Sequence, residues 1–305
     1  MTMRRSGLFA MLAAAATLFP GCAAIDQVAQ VGAGVAAETG YVTPEQATSI
    51  RKSSAALAKS FEDITPEQEY YIGRSVGAVV VTTYKPYANA QATEYLNVLG
   101  QTLAQASDRP ETFGGYHFLI LDSDEINAFA APGGLIFVSR GMLRCCRDED
   151  AVAAVLAHEI SHVALRHGLQ AIDKSRLTQA LTTLATEGAK SFGSKELAEV
   201  TKSFEGSISD VTSTMMNNGY SRAFEREADK AAVTLLARVG YDPNGLVAML
   251  REMEKRLKPG GPDFAKTHPS PASRIGELSA SVQAAPRSAG SAARQARFDR
   301  ALGNL

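Results

Sequence analysis

HEISHVALRH, residues 158–167, holds three of the chain's five histidines and places Glu159 beside the first of them. His158 and His162 stand at i and i+4. On a helix both imidazoles therefore share one face, about one turn apart, and reach a single ion. Glu159 is then placed to contact water at that ion without ligating it. This is the HExxH arrangement, in which Zn²⁺ lowers the pKa of a bound water from ~16 toward ~7 while the carboxylate takes the proton as attack begins. The competing reading is a chance string on a helix surface. Against it, Val155, Ile160 and Val163 make this a largely buried helix, where two unligated histidines need other partners. His167 lies five residues past His162, about 140° round a continuous helix, so it is expected to be a C-terminal helix residue favoured by the macrodipole.

A third ligand must come from elsewhere, and SRAFEREADKAAVTLLARVG, residues 221–240, is the best source. Glu225, Asp229, Ala232 and Leu236 fall on one helical line, the same face that carries the apolar contacts. A buried carboxylate is costly unless it meets a cation or good donors. Glu225 as ligand and Asp229 as acceptor from a ligand imidazole meets both needs. The alternative is an internal salt bridge to Arg222 or Lys230. Glu227 lies 100° or more away and reads as a solvated charge able to pair with Lys230.

Composition excludes some classes of function. The 31 basic and 32 acidic residues are interspersed, which leaves no electrostatic footprint for nucleic acid. Three cysteines make no disulfide framework, because Cys145 and Cys146 are adjacent and neighbouring Cα atoms lie ~3.8 Å apart, below the disulfide range. They read as packed thiols at a helix entrance. At the N-terminus, Arg4 and Arg5 precede an apolar run from Leu8 to Phe19 that is too short to cross a bilayer, the pattern of an export signal over 1–24. The stretch LFPGC resembles the lipobox of bacterial lipoproteins, which implies lipidation of Cys22 and a membrane anchor. Phe19 and Pro20 depart from the usual pattern, so cleavage after Ala23 or Ala24 with release into the periplasm is the alternative. Residues 25–60, rich in small and polar types, read as a tether.

The folded domain is expected over 61–282. A helix follows Thr65, and a second runs over about 90–107 with Tyr95, Leu96, Val98, Leu99 and Leu103 as its buried side. The period then changes: 117–122 and 134–140 read as strands, with a further extended piece at 127–131 before Pro132-Gly133-Gly134. Asp148 to Asp150 cap the HEISH helix, which is expected to end near Gly168. Residues 170–218 read as a polar helical insertion, and helices follow at about 221–239, after Asp242-Pro243 and after HPSP. From 283 to 305 a mobile tail is expected. The class is α+β, predominantly helical, with a small sheet packed on the HExxH helix.

HEISH, the downstream EREAD, NAFAAPGGLIFVSRGML before the helix and HPSP after it resemble the gluzincin metallopeptidases. That family includes the CAAX prenyl protease, the membrane heat-shock protease and periplasmic quality-control proteases. The resemblance spans roughly residues 61–282. It implies one zinc ion held by His158, His162 and Glu225, with Glu159 as base and Asp229 behind a ligand. It also implies an exported endopeptidase whose substrates are misfolded or stalled envelope polypeptides.

Two further elements suit peptide chemistry. Asn127, Ala128, Phe129 and Ala130, if an edge strand, offer backbone groups to an extended substrate. His268 and Arg274 are expected to donate to the oxyanion of the tetrahedral intermediate. Alternatively His268 occupies the metal's open position as a fourth ligand, or is a structural turn residue. The rival from another class is a zinc-stabilised, chaperone-like binder that seldom cuts. Oligomeric state is left open.

Overall fold

The computed structural model describes residues 64–172, 205–257, 267–284 and 292–305. The export signal, Cys22 and the tether lie outside them, as do 173–204 of the polar insertion. Among the described residues the chain order is α1 (Pro66–Thr83), α2 (Ala90–Gln105), β1 (His117–Leu121), β2 (Ala128–Ala131), β3 (Leu135–Ser139) and α3 (Glu149–Ala164). There follow α4 (Glu205–Ser213), α5 (Arg222–Arg238), α6 (Asn244–Arg256), α7 (Pro271–Ala284) and α8 (Ala292–Leu302). Single helical turns lie at Arg140–Leu143 and His167–Gln170, and a π-turn at Thr214–Asn218.

Helix starts are set by short polar side chains. Asn89, Asp148 and Ser221 accept from the backbone N–H groups of Ala92, Ala151 and Phe224, satisfying donors that a first turn leaves unpaired. The sheet order is β1-β3-β2, with β1 parallel and β2 antiparallel to β3. β2 is therefore an edge strand by connectivity, yet Ala128–Ala131 are all buried and the π-turn packs against them.

The HEISH helix α3 runs through the centre of the core. Every residue from Glu149 to Val163 is buried. Its apolar side chains Val152, Val155, Leu156 and Ile160 meet Leu96 and Leu103 of α2, Ile136 and Val138 of β3, Leu236 of α5 and Leu250 of α6 in one cluster. Helix α1 lies close to the β2–β3 turn, where a Cβ on Gly73 would overlap the Pro132 carbonyl. Buried Glu69 on the same helix pairs with Arg109 through two bonds of 2.8 Å and accepts from the Gly133 N–H at 3.1 Å. That bidentate pair holds the turn in register with α1.

Three expectations change. Val98 of α2 is 63% exposed, because the buried face of that helix runs through Ala92, Leu96, Leu99, Gly100, Leu103 and Ala104. The HEISH helix stops at Ala164 rather than near Gly168. The expected tail contains α8, whose Phe298 and Leu302 are buried in the core. Its Arg297 binds the buried Glu149 carboxylate at the start of α3, with Tyr241 at 2.9 Å and Tyr95 at 3.3 Å on the same group. Arg294 pairs with neighbouring Asp150 at 3.1 Å.

Phe298→Ala is expected to destabilise the protein by about 3 kcal/mol, the usual cost of emptying an aromatic site in a core. The check is a shift of the urea midpoint with an unchanged m-value; a free tail would show no shift.

Candidate metal centre

α3 and α5 pack against each other along most of their lengths and bring HEISH to EREAD. His158 Nε2 and His162 Nε2 face each other at 3.1 Å. Glu225 reaches both, with Oε2 3.6 Å from His158 Nε2 and Oε1 3.5 Å from His162 Nε2. His268, just before α7, completes the group, its Nδ1 lying 2.9 Å and 2.8 Å from the two Glu225 oxygens. One donor atom from each of the four lies within 4.8 Å of the others, and all four residues are buried.

These spacings fit a metal. Tetrahedral donors at bond lengths of ~2.0–2.2 Å lie roughly 3.3–3.6 Å apart. The His–His, His–Glu separations fall close to that range. Chemistry agrees, because two imidazole nitrogens turned toward one another repel unless a proton or a cation stands between them.

The acids and imidazoles of the site shift one another's protonation. Burial alone would raise the Glu225 carboxyl, but His268 and His158 outweigh it and hold it well below the usual range. Asp229 is likewise pushed up by burial and then pulled down, by Arg274 and His158, to about 2. Burial and Arg274 push His158 down, yet its bonds to Asp229 and Glu225 hold the imidazole up at about 9. Burial drives His162 well below its ordinary value, so it is neutral, as a ligand must be. Burial also raises Glu159. Two ionised acids thus keep a proton on His158 in the metal-free protein, and a divalent ion would displace it.

Asp229 Oδ1 lies 3.0 Å from His158 Nδ1, on the ring side opposite Nε2. Arg274 is there too: Nε bonds Asp229 Oδ2 at 3.0 Å and Nη2 lies 3.3 Å from His158 Nδ1. A buried guanidinium requires a carboxylate, and Asp229 supplies it. Arg274 therefore lies on the outer side of the His158 ring, bonded to Asp229. The alternative of Arg222 or Lys230 as partner to Asp229 gives way to Arg274. Asn127 Oδ1 meets the Thr267 hydroxyl at 3.4 Å, which joins the start of the expected substrate strand to the His268 loop. Gly219, at φ 75, allows that loop to approach, since a Cβ there would overlap the Thr267 carbonyl.

Sequence reasoning missed a second layer of the site. Leu165 caps α3 and Arg166 turns left-handed at φ 57, the one non-glycine residue with positive φ among the described residues. The chain doubles back and sets His167 Nδ1 2.9 Å from His162 Nδ1. The expected 140° separation assumed a helix that does not continue, and the macrodipole reading of His167 is corrected accordingly. Glu227 meets His167 Nε2 at 3.3 Å, so its partner is His167. Tyr220 stacks on His162 and Phe224 on His167, each with centroids 4.5 Å apart. The signal available was two aromatics flanking a serine cap just before EREAD, which is too generic to assign.

HExxH on one buried helix and a glutamate on the next define a metallopeptidase centre of the gluzincin class. Residues 90–282 match the model of peptidase family M48, and the chain belongs to that family. It is 29% identical over 187 residues to the beta-barrel assembly-enhancing protease of Escherichia coli K12, covering 61% of this chain and 38% of that protein. The protein of the same name from Yersinia pestis is 27% identical over 74% of this chain and 45% of its own length. The mitochondrial metalloendopeptidase OMA1 of Schizosaccharomyces pombe is 32% identical over 50% and 42%. The chain thus spans less than half the length of these relatives.

The raised His158 contributes stability to the metal-free protein that is fully present below its unfolded value of ~6.5 and is lost as pH rises through about 9. Zinc uptake at pH 7 is therefore expected to release about one proton, read by titration calorimetry in buffers of different ionisation enthalpy, and to release almost none near pH 10.

Proposed function

We propose that this chain is a zinc-dependent endopeptidase acting on misfolded or stalled envelope proteins in the bacterial periplasm. The observation that carries the reading is buried Glu159, adjacent to the His158–His162–Glu225 donors but outside the donor set. A merely structural metal site has no task for such a carboxylate.

Zinc, when bound by His158, His162 and Glu225, supplies a Lewis acid for the scissile carbonyl and acidifies the attacking water. Glu159 takes the proton from that water and hands it to the leaving amine. Its upward shift by burial brings it nearer the working pH, as a general base requires. Asp229 accepts from His158 Nδ1–H and so keeps Nε2 free as a donor, and Arg274 holds Asp229 in place. That position supports a positioning role for Arg274 in preference to oxyanion binding. The contact of His268 with both Glu225 oxygens supports its reading as a fourth donor that closes the resting site until its loop moves. β2 provides the edge for an extended substrate once the π-turn against it gives way.

The envelope assignment draws on the names of the enterobacterial relatives and on the export signal over 1–24. Anchoring through lipid on Cys22 belongs to the same proposal, with release into the periplasm as the alternative. Among the described residues no helix is long and apolar enough to cross a membrane.

Casein cleavage by purified protein tests the reading. Glu159→Gln is expected to lower the rate by roughly 10²–10⁴-fold while zinc stays bound, and chelation to abolish it. Zinc retained without cleavage under any condition would instead favour a binder. His268→Ala is expected to raise the rate on a short peptide if His268 is the fourth donor, and to lower it if His268 serves the oxyanion.

A further inference from the structure

Both ligand imidazoles have an outer nitrogen to satisfy, and the two are served differently. His158 Nδ1 meets Asp229, a carboxylate. His162 Nδ1 meets another histidine, His167, at 2.9 Å. Two facing imidazole nitrogens form one hydrogen bond only if one carries the proton and the other does not. A ligand bound through Nε2 carries its proton on Nδ1, so His167 must accept at Nδ1 and carry its own proton on Nε2. That Nε2–H points to the Glu227 carboxylate 3.3 Å away.

We propose that His167 is a positioning residue for the metal centre, forming with Glu227 a directed chain, His162 Nδ1–H to His167 Nδ1 and His167 Nε2–H to Glu227, that presents His162 Nε2 to zinc. The inference rests on the metal-centre reading above. Three observations converge on it. The left-handed residue Arg166 is strained for a side chain of its size, and the turn it makes delivers His167 to His162. His167 is fully buried and stacked on Phe224 with an interplanar angle of 8°, which fixes the plane of its ring. Tyr220 stacks on His162 at 20°, so both rings of the chain are held by residues 220–224 at the entrance to α5.

Glu227 is 57% exposed at its side chain, so it acts as a weaker, solvent-shared end of the chain. It selects the tautomer of His167, and His167 in turn selects that of His162. Glu225, two residues earlier on the same helix, supplies the ligand itself. One helix thereby places a donor on the ion and a tautomer control on the ion's neighbour.

The test is zinc affinity of the full chain by competition with a chromogenic chelator, with the thermal midpoint of zinc-free protein as the fold control. His167→Phe keeps the ring stack and removes the acceptor; its affinity is expected to fall roughly 10–100-fold with an unchanged zinc-free midpoint. His167→Asn places an oxygen where Nδ1 stood and is expected to recover most of that loss. Nitrogen-15 spectra of zinc-loaded wild type are expected to show His167 protonated on Nε2 and bare on Nδ1, a result independent of whether the variants fold. Wild-type affinity in the Phe variant, no recovery in the Asn variant, or a proton on His167 Nδ1 would each overturn the role of His167. Wild-type protein that binds no zinc would instead sink the metal-centre reading beneath it.

Discussion

Two ionised carboxylates buried in an apolar core set the terms for everything around them. Glu225 and Asp229 sit one turn apart on α5, each almost wholly shielded from water. Removing an acid from water costs several kcal/mol unless positive charge and hydrogen bonds replace the lost hydration. Asp229 finds Arg274 and the outer nitrogen of His158. Glu225 finds imidazoles, which are neutral when deprotonated, and it therefore demands a cation. The paired faces of α3 and α5, the turn that returns His167 and the loop that brings His268 all serve that one requirement.

The core that surrounds these acids strengthens the pairings that let them tolerate burial. α3 is apolar on nearly every side and is enclosed by α2, β3, α5 and α6. Its histidines are buried, so the local dielectric is low and each charge interaction is strong. The same dryness raises Glu159 and lowers His162, moving one toward proton exchange and the other toward ligation. A single environment thus assigns opposite roles to residues three positions apart.

Much of this was legible in the residues alone. The i, i+4 pair at 158 and 162 and the line through 225, 229, 232 and 236 fixed two faces, and a helical period with an inward acid permits few arrangements. Strand limits were readable because β-branched and aromatic runs changed the period between Tyr116 and Ser139. What escaped reading has a common physical cause. His167, Glu227 and Arg274 depend on where a helix stops or which of several basic side chains wins a carboxylate, and these are decided by tertiary packing. No glycine marks the left-handed position at 166, so the sequence carried no sign of the turn. Val98 likewise fits an apolar period yet faces out, and α8 is too rich in Arg and Ala to announce its two buried anchors.

The clamp of α8 on Glu149 and Asp150 has a consequence for the order of assembly. A chain made from its N-terminus presents the HEISH helix before residues 292–302 emerge. Until then the buried Glu149 lacks Arg297, and the first turn of that helix lacks the cover of Phe298 and Leu302. The cover of α8 therefore reaches the HEISH helix only after the rest of its surroundings has been made. A partly synthesised chain carries the motif without the support that α8 gives it.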